Sequence, residues 1–197
     1  LSAKFNNSEA LVSLGTQYLN GHGVALNYQK AREYYESAAK FNNSNALLNL
    51  GHIYFNGYGV EKDIQISKMY YKLSSEQNNS EALLALGLHY LNGKYYKKNY
   101  KKAIQYIEKS AKLNNSNALY YLGSIYYDGT GVKQDFIKAK EYLESSAQYK
   151  NPNAFNLLGI IYGGGKGVKQ DYKIAKYYFE LAAQQNNADA YLNLGFL

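Results

Sequence analysis

Few residues in this chain carry reactive or ligating chemistry, and their spacing excludes more than it allows. His22, His52 and His89 are the only imidazoles, and there is no cysteine. His52 and His89 recur at related positions, which allows proximity. No HExxH or similar ligand spacing accompanies them, so no metal site is expected. No recognisable Ser-His-Asp order is present, so nucleophilic catalysis lacks its parts. Gly163-Gly164-Gly165-Lys166-Gly167 has the composition of a phosphate loop. No strand pattern precedes it, and no Lys-Ser or Lys-Thr closes it. Lys94, Lys97, Lys98, Lys101 and Lys102 interleave with Tyr95, Tyr96 and Tyr100. Such a stretch suits an acidic protein, a phosphate backbone or an anionic membrane surface; read blandly, it is a solvated loop and helix start. Arg32 is the sole arginine, so bidentate recognition of phosphate has one donor in the whole chain. Asn6, Asn42, Asn78 and Asn114 each open an Asn-x-Ser sequon, readable as a glycan acceptor or as turn chemistry. The expectation is a protein that is not an enzyme and holds no cofactor and no metal.

The elements that position these residues repeat every 36 residues. Leu-Gly pairs stand at Leu14-Gly15, Leu50-Gly51, Leu86-Gly87, Leu122-Gly123, Leu158-Gly159 and Leu194-Gly195. A tyrosine follows each of the first five glycines by three, at Tyr18, Tyr54, Tyr90, Tyr126 and Tyr162, and Ala10, Ala46, Ala82, Ala118, Ala154 and Ala190 precede the leucines by four. A fixed period in this range marks a stack of helical units, each burying its neighbour's apolar face. In the first unit, Asn7 is placed as an N-cap and residues 8–20 as helix A. Ala10, Leu11, Leu14, Gly15 and Tyr18 then share an arc of about 140°. Gly15 weakens a helix by roughly 1 kcal/mol against alanine, so its recurrence argues for close approach of another helix. Gly21-x-Gly23 ends helix A, Val24 plugs the turn, and Asn27 caps helix B, which runs from Tyr28 to Phe41. Asn42 takes a left-handed position. Five units follow, at 7–42, 43–78, 79–114, 115–150 and 151–186, with a partial sixth at 187–197; Asp63, Asn99, Asp135 and Asp171 are the later helix-B caps.

Composition agrees: 46% hydrophobic and 19% charged residues with one proline describe a folded chain rather than a disordered one. The absence of cysteine fits a reducing, cytoplasmic setting. No apolar run reaches membrane-spanning length. The net charge of +7 is uneven, because the first, second and fourth units are neutral while the fifth carries +2 and the third +5. The chain starts at Leu1 and ends inside a sixth helix A, so it is read as an excerpt of a longer protein.

Ala-x-x-x-Leu-Gly-x-x-Tyr-x-x-Gly-x-Gly-Val, followed at fixed offsets by Asp, Ala, Tyr and Ala-Ala, resembles the Sel-one-like repeat, a relative of the tetratricopeptide repeat. The resemblance covers almost the whole chain. It implies an all-α fold, an α/α superhelical solenoid of antiparallel helix pairs, and a scaffold or adaptor that binds proteins. One branch of the family is stapled by disulfides and linked to β-lactam binding, and nothing in a chain without cysteine supports that branch. The third unit departs from the pattern at Gly93-Lys94-Tyr95-Tyr96, Ser67 replaces a helix-B alanine, and Lys150 holds a left-handed position that asparagine fills elsewhere.

In this superfamily helix A lines the concave face. The columns opposite the helix-A packing arc give the candidate partner-binding residues Val12, Thr16, Leu48, His52, Phe55, Leu84, Leu88, Tyr120, Tyr121, Ser124, Tyr127, Asn156 and Ile160. Tyr120, Tyr121 and Tyr127 form the first patch to test. Column 19, with Leu19, Phe55, Leu91 and Tyr127, is equally readable as packing on the neighbouring unit. Asn45, Asn49, Asn117, Asn153 and Asn156 could add hydrogen bonds to a bound peptide. The expected function is a protein–protein interaction scaffold. The alternative is polyanion or nucleic-acid binding through Lys94, Lys97, Lys98, Lys101 and Lys102.

Overall fold

In the computed structural model the backbone is described for residues 2–197 and side chains for residues 7–197. Among the described residues there are eleven helices and no strand. The chain divides into two compact bodies, residues 1–97 and 98–197. The first holds α1 (Ser2–Asn20), α2 (Tyr28–Ala39), α3 (Ser44–Asn56), α4 (Ile64–Glu76) and α5 (Ser80–Asn92). The second holds α6 (Tyr100–Lys112), α7 (Ser116–Asp128), α8 (Phe136–Gln148), α9 (Pro152–Gly164), α10 (Tyr172–Ala183) and α11 (Ala188–Gly195).

Each helix from α2 onward starts where a side chain satisfies an orphan N–H. For helix B the Asn27 and Asn99 amide oxygens accept from Lys30 N and Lys102 N, while Asp63, Asp135 and Asp171 accept from the N–H groups of Ile66, Lys138 and Ile174, all at 2.9–3.0 Å. Helix A is capped by Asn43, Asn79, Asn115, Asn151 and Asn187. Left-handed backbone at Asn42, Asn78, Asn114, Lys150 and Asn186 turns the chain from helix B into the next helix A.

The first unit differs from its expected outline. Helix α1 begins at Ser2, so Asn7 lies inside it rather than capping it. At Asn42 and Asn43 the turn is held by N–H bonds back to Ala39 O and Ala38 O at the end of α2. No such helix end precedes Asn7 among the described residues. For the same reason Ala10 and Leu14 are exposed, although Ala46 and Leu50, one repeat later, are fully buried. Those two pack with Ile53 against Ala31, Tyr35 and Ala38 of α2. Leu158, Ala154 and Ile161 pack likewise with Leu143 of α8. Helix B also stops at Ala39, short of Phe41.

The glycine column makes room for one large side chain of helix B twenty residues on. A Cβ on Gly51 would sit 2.5 Å from the Tyr71 ring, on Gly123 2.5 Å from Leu143 Cγ, and on Gly159 2.5 Å from the Phe179 ring. Tyr71 and Leu143 are fully buried and Phe179 nearly so. Overpacking there outweighs the helix-propensity gain of a methyl group. Beside this contact a tyrosine pair stacks between the two helices in four repeats: Tyr18–Tyr34, Tyr54–Tyr70, Tyr126–Tyr142 and Tyr162–Tyr178, at 5.6–5.8 Å between ring centroids.

Two devices join consecutive repeats. The helix-A cap asparagines reach back with Nδ2 while Oδ1 caps. Asn43 donates to Glu9 Oε1 at 2.7 Å, and Asn79, Asn151 and Asn187 donate to Asn45, Asn117 and Asn153 Oδ1 at 2.9 Å. The second loop glycine sits on the first residue of the preceding helix B. A Cβ on Gly59 would fall 2.8 Å from Tyr28 Cβ, and one on Gly167 2.8 Å from Phe136 Cβ; Gly131 meets Tyr100 in the same way. In the third repeat the loop residue is Tyr95, and the helix-B residue at the matching position is Ile64. Tyr96 takes the valine position and is buried at 4% exposure. Ser67 fills the alanine column and is fully buried.

Candidate functional site

The first body carries a groove of about 730 Å³ lined by Leu19, Asn20, His22, Leu26, Tyr28, Asn49, His52, Asn56 and Tyr58. Helix A of two successive repeats supplies the floor, and the two A-to-B loops supply the wall. Tyr28 and Tyr58 stack at 5.1 Å, closing one side with aromatic rings. Of the residues singled out in the sequence for partner contact, His52, Asn49 and the column-19 residue Leu19 line this groove. His22, Leu26, Tyr28 and Tyr58 lie in it unpredicted. For His22, Leu26 and Tyr58 the signal was available, because they occupy loop positions that vary from unit to unit, whereas Tyr28 opens α2 in a column that also serves the joint between repeats.

His52 is held from behind. Its Nδ1 lies 2.9 Å from the Tyr71 hydroxyl. Burial pushes the Tyr71 phenol up to about 12 and lowers the His52 imidazole, with nearby Glu81 opposing the latter. The contact at neutral pH is therefore between a neutral phenol and a neutral imidazole. His89 sits in aromatic surroundings, with centroids of Phe55 at 4.6 Å, Tyr96 at 5.0 Å, Tyr71 at 5.8 Å and Tyr95 at 6.3 Å. Burial, helped by the neighbouring His52, takes its pKa down to about 4. The two histidines are neighbours, as their positions allowed. Among the described residues no group of three or more His, Cys, Asp or Glu could hold a metal ion.

The remaining predicted helix-A residues do not form an open apolar stripe. Val12, Thr16, Leu48, Phe55, Leu88, Tyr120, Tyr121, Ser124, Tyr127, Asn156 and Ile160 are half-buried. Leu84 is only 5% exposed and belongs to the core, which removes it from the surface set. Thr16 Oγ1 is engaged with Tyr35 OH at 3.1 Å, and Ser124 donates to Asp128 at 3.3 Å. Phe55 packs on His89 of the next repeat, which is the neighbour-packing alternative for column 19. Tyr120 and Tyr127 pack against the Leu143, Ala154, Leu158 and Ile161 cluster, and Tyr127 also meets Phe136 at 5.4 Å. Asn45, Asn117, Asn153 and Asn156 already use Oδ1 within the array, the last accepting from Asn193 at 2.9 Å. Their carbonyl oxygens serve the joints between repeats.

The lysine run divides between the bodies. In the first, Lys94 stands 5.2 Å from the Tyr95 ring, and Lys62 Nζ donates to Tyr95 OH at 3.3 Å, so these cations pull the Tyr95 phenol down. Lys97 is exposed there. In the second, Lys98 donates to Tyr100 OH at 3.4 Å, and Lys101 and Lys102 are exposed in the first turn of α6.

The repeat geometry, a glycine notch for one helix-B side chain and a capped turn every 36 residues, is matched by known proteins. The Sel1 repeat pattern matches residues 8–40, 44–79, 80–115, 116–148 and 153–187. The chain belongs to the Sel1 repeat family. A Sel1 repeat protein of Oxalobacter formigenes is 34% identical, with a TM-score of 0.89 over 94% of this chain and 76% of its own. A protective antigen of uropathogenic Escherichia coli strains that displays the SLR fold is 30% identical with a TM-score of 0.85; 96% of this chain covers 40% of it. Cysteine-rich protein B of Helicobacter pylori is 30% identical, with a TM-score of 0.53 over 69% of this chain and 96% of its own. Its name marks a cysteine-rich relative, whereas this Sel1 array has no cysteine with which to form a disulfide. Among curated proteins no match is found. Sel1 repeats form a non-enzymatic helical-repeat scaffold whose members generally bind proteins. No helix of the described residues is long and apolar enough to cross a membrane.

Proposed function

We propose that this Sel1 array is an interaction scaffold that holds a peptide or protein segment on its helix-A surface, with the groove of the first body as the principal seat. The observation that carries the reading is the chemistry of that groove. Exposed Leu26 and half-buried Leu19 offer apolar contact, the Tyr28–Tyr58 pair offers a rigid aromatic wall, and Asn20, Asn49 and Asn56 offer amides. An extended segment needs anchors for alternate side chains and hydrogen-bonding groups for its backbone, and this lining supplies both. Thr16, His52 and Leu48 extend the same surface. Tyr120, Tyr121, Tyr127, Asn156 and Ile160 would be its counterpart in the second body, with part of each side chain committed to packing.

The test is an affinity capture from native lysate followed by calorimetry on the recovered partner, comparing wild type with Leu26→Ala/Tyr58→Ala. Both side chains are exposed, so the variant should keep its helicity. Loss of a central anchor weakens binding by about 2 kcal/mol, roughly thirtyfold. A partner bound equally by wild type and variant would place the interaction elsewhere and sink this assignment.

A further inference from the structure

In the second body the ends of the helices that carry the A-to-B loops form one edge, because each loop rests on the first turn of the preceding helix B. Gly131 meets Tyr100, and Gly167 meets Phe136. This edge collects the charge. Residues 98–102, 128–138 and 164–174 hold eight lysines and three aspartates, while the rest of the body has five lysines and five acids. Elsewhere Lys140 and Lys176 pair with Glu144 and Glu180. At the edge, Lys133, Lys169 and Lys173 are exposed and have no side-chain partner among the described residues. The three aspartates each engage a neighbour on the chain: Asp135 and Asp171 cap α8 and α10, and Asp128 accepts from Ser124. Apolar tips stand among the lysines, with Ile137 and Tyr172 each 59% exposed. Beside them is a groove of about 650 Å³ lined in part by Val132, Lys133, Phe136, Ile137, Lys138 and the cap residue Asp135.

We infer that this edge docks an acidic peptide segment of a partner protein, which places an apolar side chain in the groove beside Ile137 and carboxylates against Lys133, Lys166 and Lys169. The inference rests on the scaffold reading but uses a different face. The observations favour a peptide over other anions. A groove with apolar walls gives a side chain somewhere to enter, which a flat bilayer would leave unfilled. The body contains no arginine, the residue best shaped to grip phosphate bidentately. Lys133 and Lys169 without side-chain partners, with Lys166 over the Phe136 ring, set cations around an apolar centre, which matches the polar rim and buried anchor of a peptide site.

The experiment is fluorescence anisotropy on the full chain with a fluorescein-labelled peptide alternating glutamate pairs with leucine. Lys133→Glu/Lys166→Glu/Lys169→Glu should weaken binding by about tenfold or more. Ile137→Ser should weaken it at unchanged charge, which guards against a triple variant that fails to fold. Raising salt from about 0.1 M to about 1 M, which shortens the screening length from about 10 Å to about 3 Å, should weaken it further. Unchanged affinity in both variants, or equal binding of the same peptide with lysine for glutamate, would overturn the proposal. So would co-sedimentation with phosphatidylserine vesicles in the absence of saturable peptide binding. Peptide binding lost in Leu26→Ala/Tyr58→Ala and kept in the lysine variant would also overturn it, while leaving the helix-A scaffold intact.

Discussion

His89 shows how much of this protein is set by single side chains meeting aromatic rings. Phe55, Tyr71, Tyr95 and Tyr96 surround an imidazole that burial keeps neutral down to about pH 4. A folded-state pKa below the unfolded value of about 6.5 means that the unfolded chain takes up the proton first. This contribution to stability is complete above about pH 6.5 and is lost as pH falls toward about 4. His52, lowered in the same direction, adds to the loss. Between neutral pH and pH 4 the urea midpoint of wild type should fall more steeply than that of His89→Leu. Parallel curves would show that His89 is not titrating against folding. The sequence put His52 and His89 on helix A of adjacent units, yet it could not reveal this environment, because the rings come from α3, α4 and the aberrant loop at Tyr95 and Tyr96.

At the scale of elements, caps and period were legible because their causes are local. Asn and Asp at 27, 63, 99, 135 and 171 start the helices they were expected to start, and glycine and asparagine take the left-handed positions. Asn7 failed as a cap because the turn at its counterpart Asn43 depends on bonds to a preceding helix end. The binding face was less legible. Leu48 and Leu84 share a column, but one is half-buried and the other is core, since exposure is decided by neighbouring helices and not by the repeat. The second use of the cap asparagines was hidden for a similar reason. Their partners lie 34 residues back and change from Glu9 to Asn45, Asn117 and Asn153. Asn79→Ala removes both the bond to Ala82 N and the one to Asn45. It should therefore lower stability by about 2 kcal/mol, more than a cap of about 1 kcal/mol alone. Denaturant titration beside Asn45→Ala separates the two parts, and equal losses in the two variants would mean that the cap adds nothing.

For the whole molecule, stability follows from stacking, because helices of 12 or 13 residues are marginal alone. Protection should accordingly track cover. In the first body α3, with five buried residues, should exchange amide hydrogens more slowly than α1, whose Ala10 and Leu14 are exposed. In the second, α9 should outlast α11, where only Ala190 is buried. Hydrogen exchange read by mass spectrometry checks both orders, and uniform protection along either body would contradict a stack held by neighbours.

The fit of loop to helix bears on how such an array can grow. Tyr28, Tyr100 and Phe136 are each followed, one repeat on, by a glycine that leaves space for them, whereas Ile64 is followed by Tyr95. A gene duplication that copied the third repeat behind one opening its helix B with an aromatic would set tyrosine where glycine is required. The heritable module is thus the joint, from the start of one helix B to the end of the next A-to-B loop. Viable duplications and deletions should have their breakpoints between joints, where one A-to-B loop ends and the next helix B begins, because a cut inside either helix parts the loop glycine from the residue it accommodates.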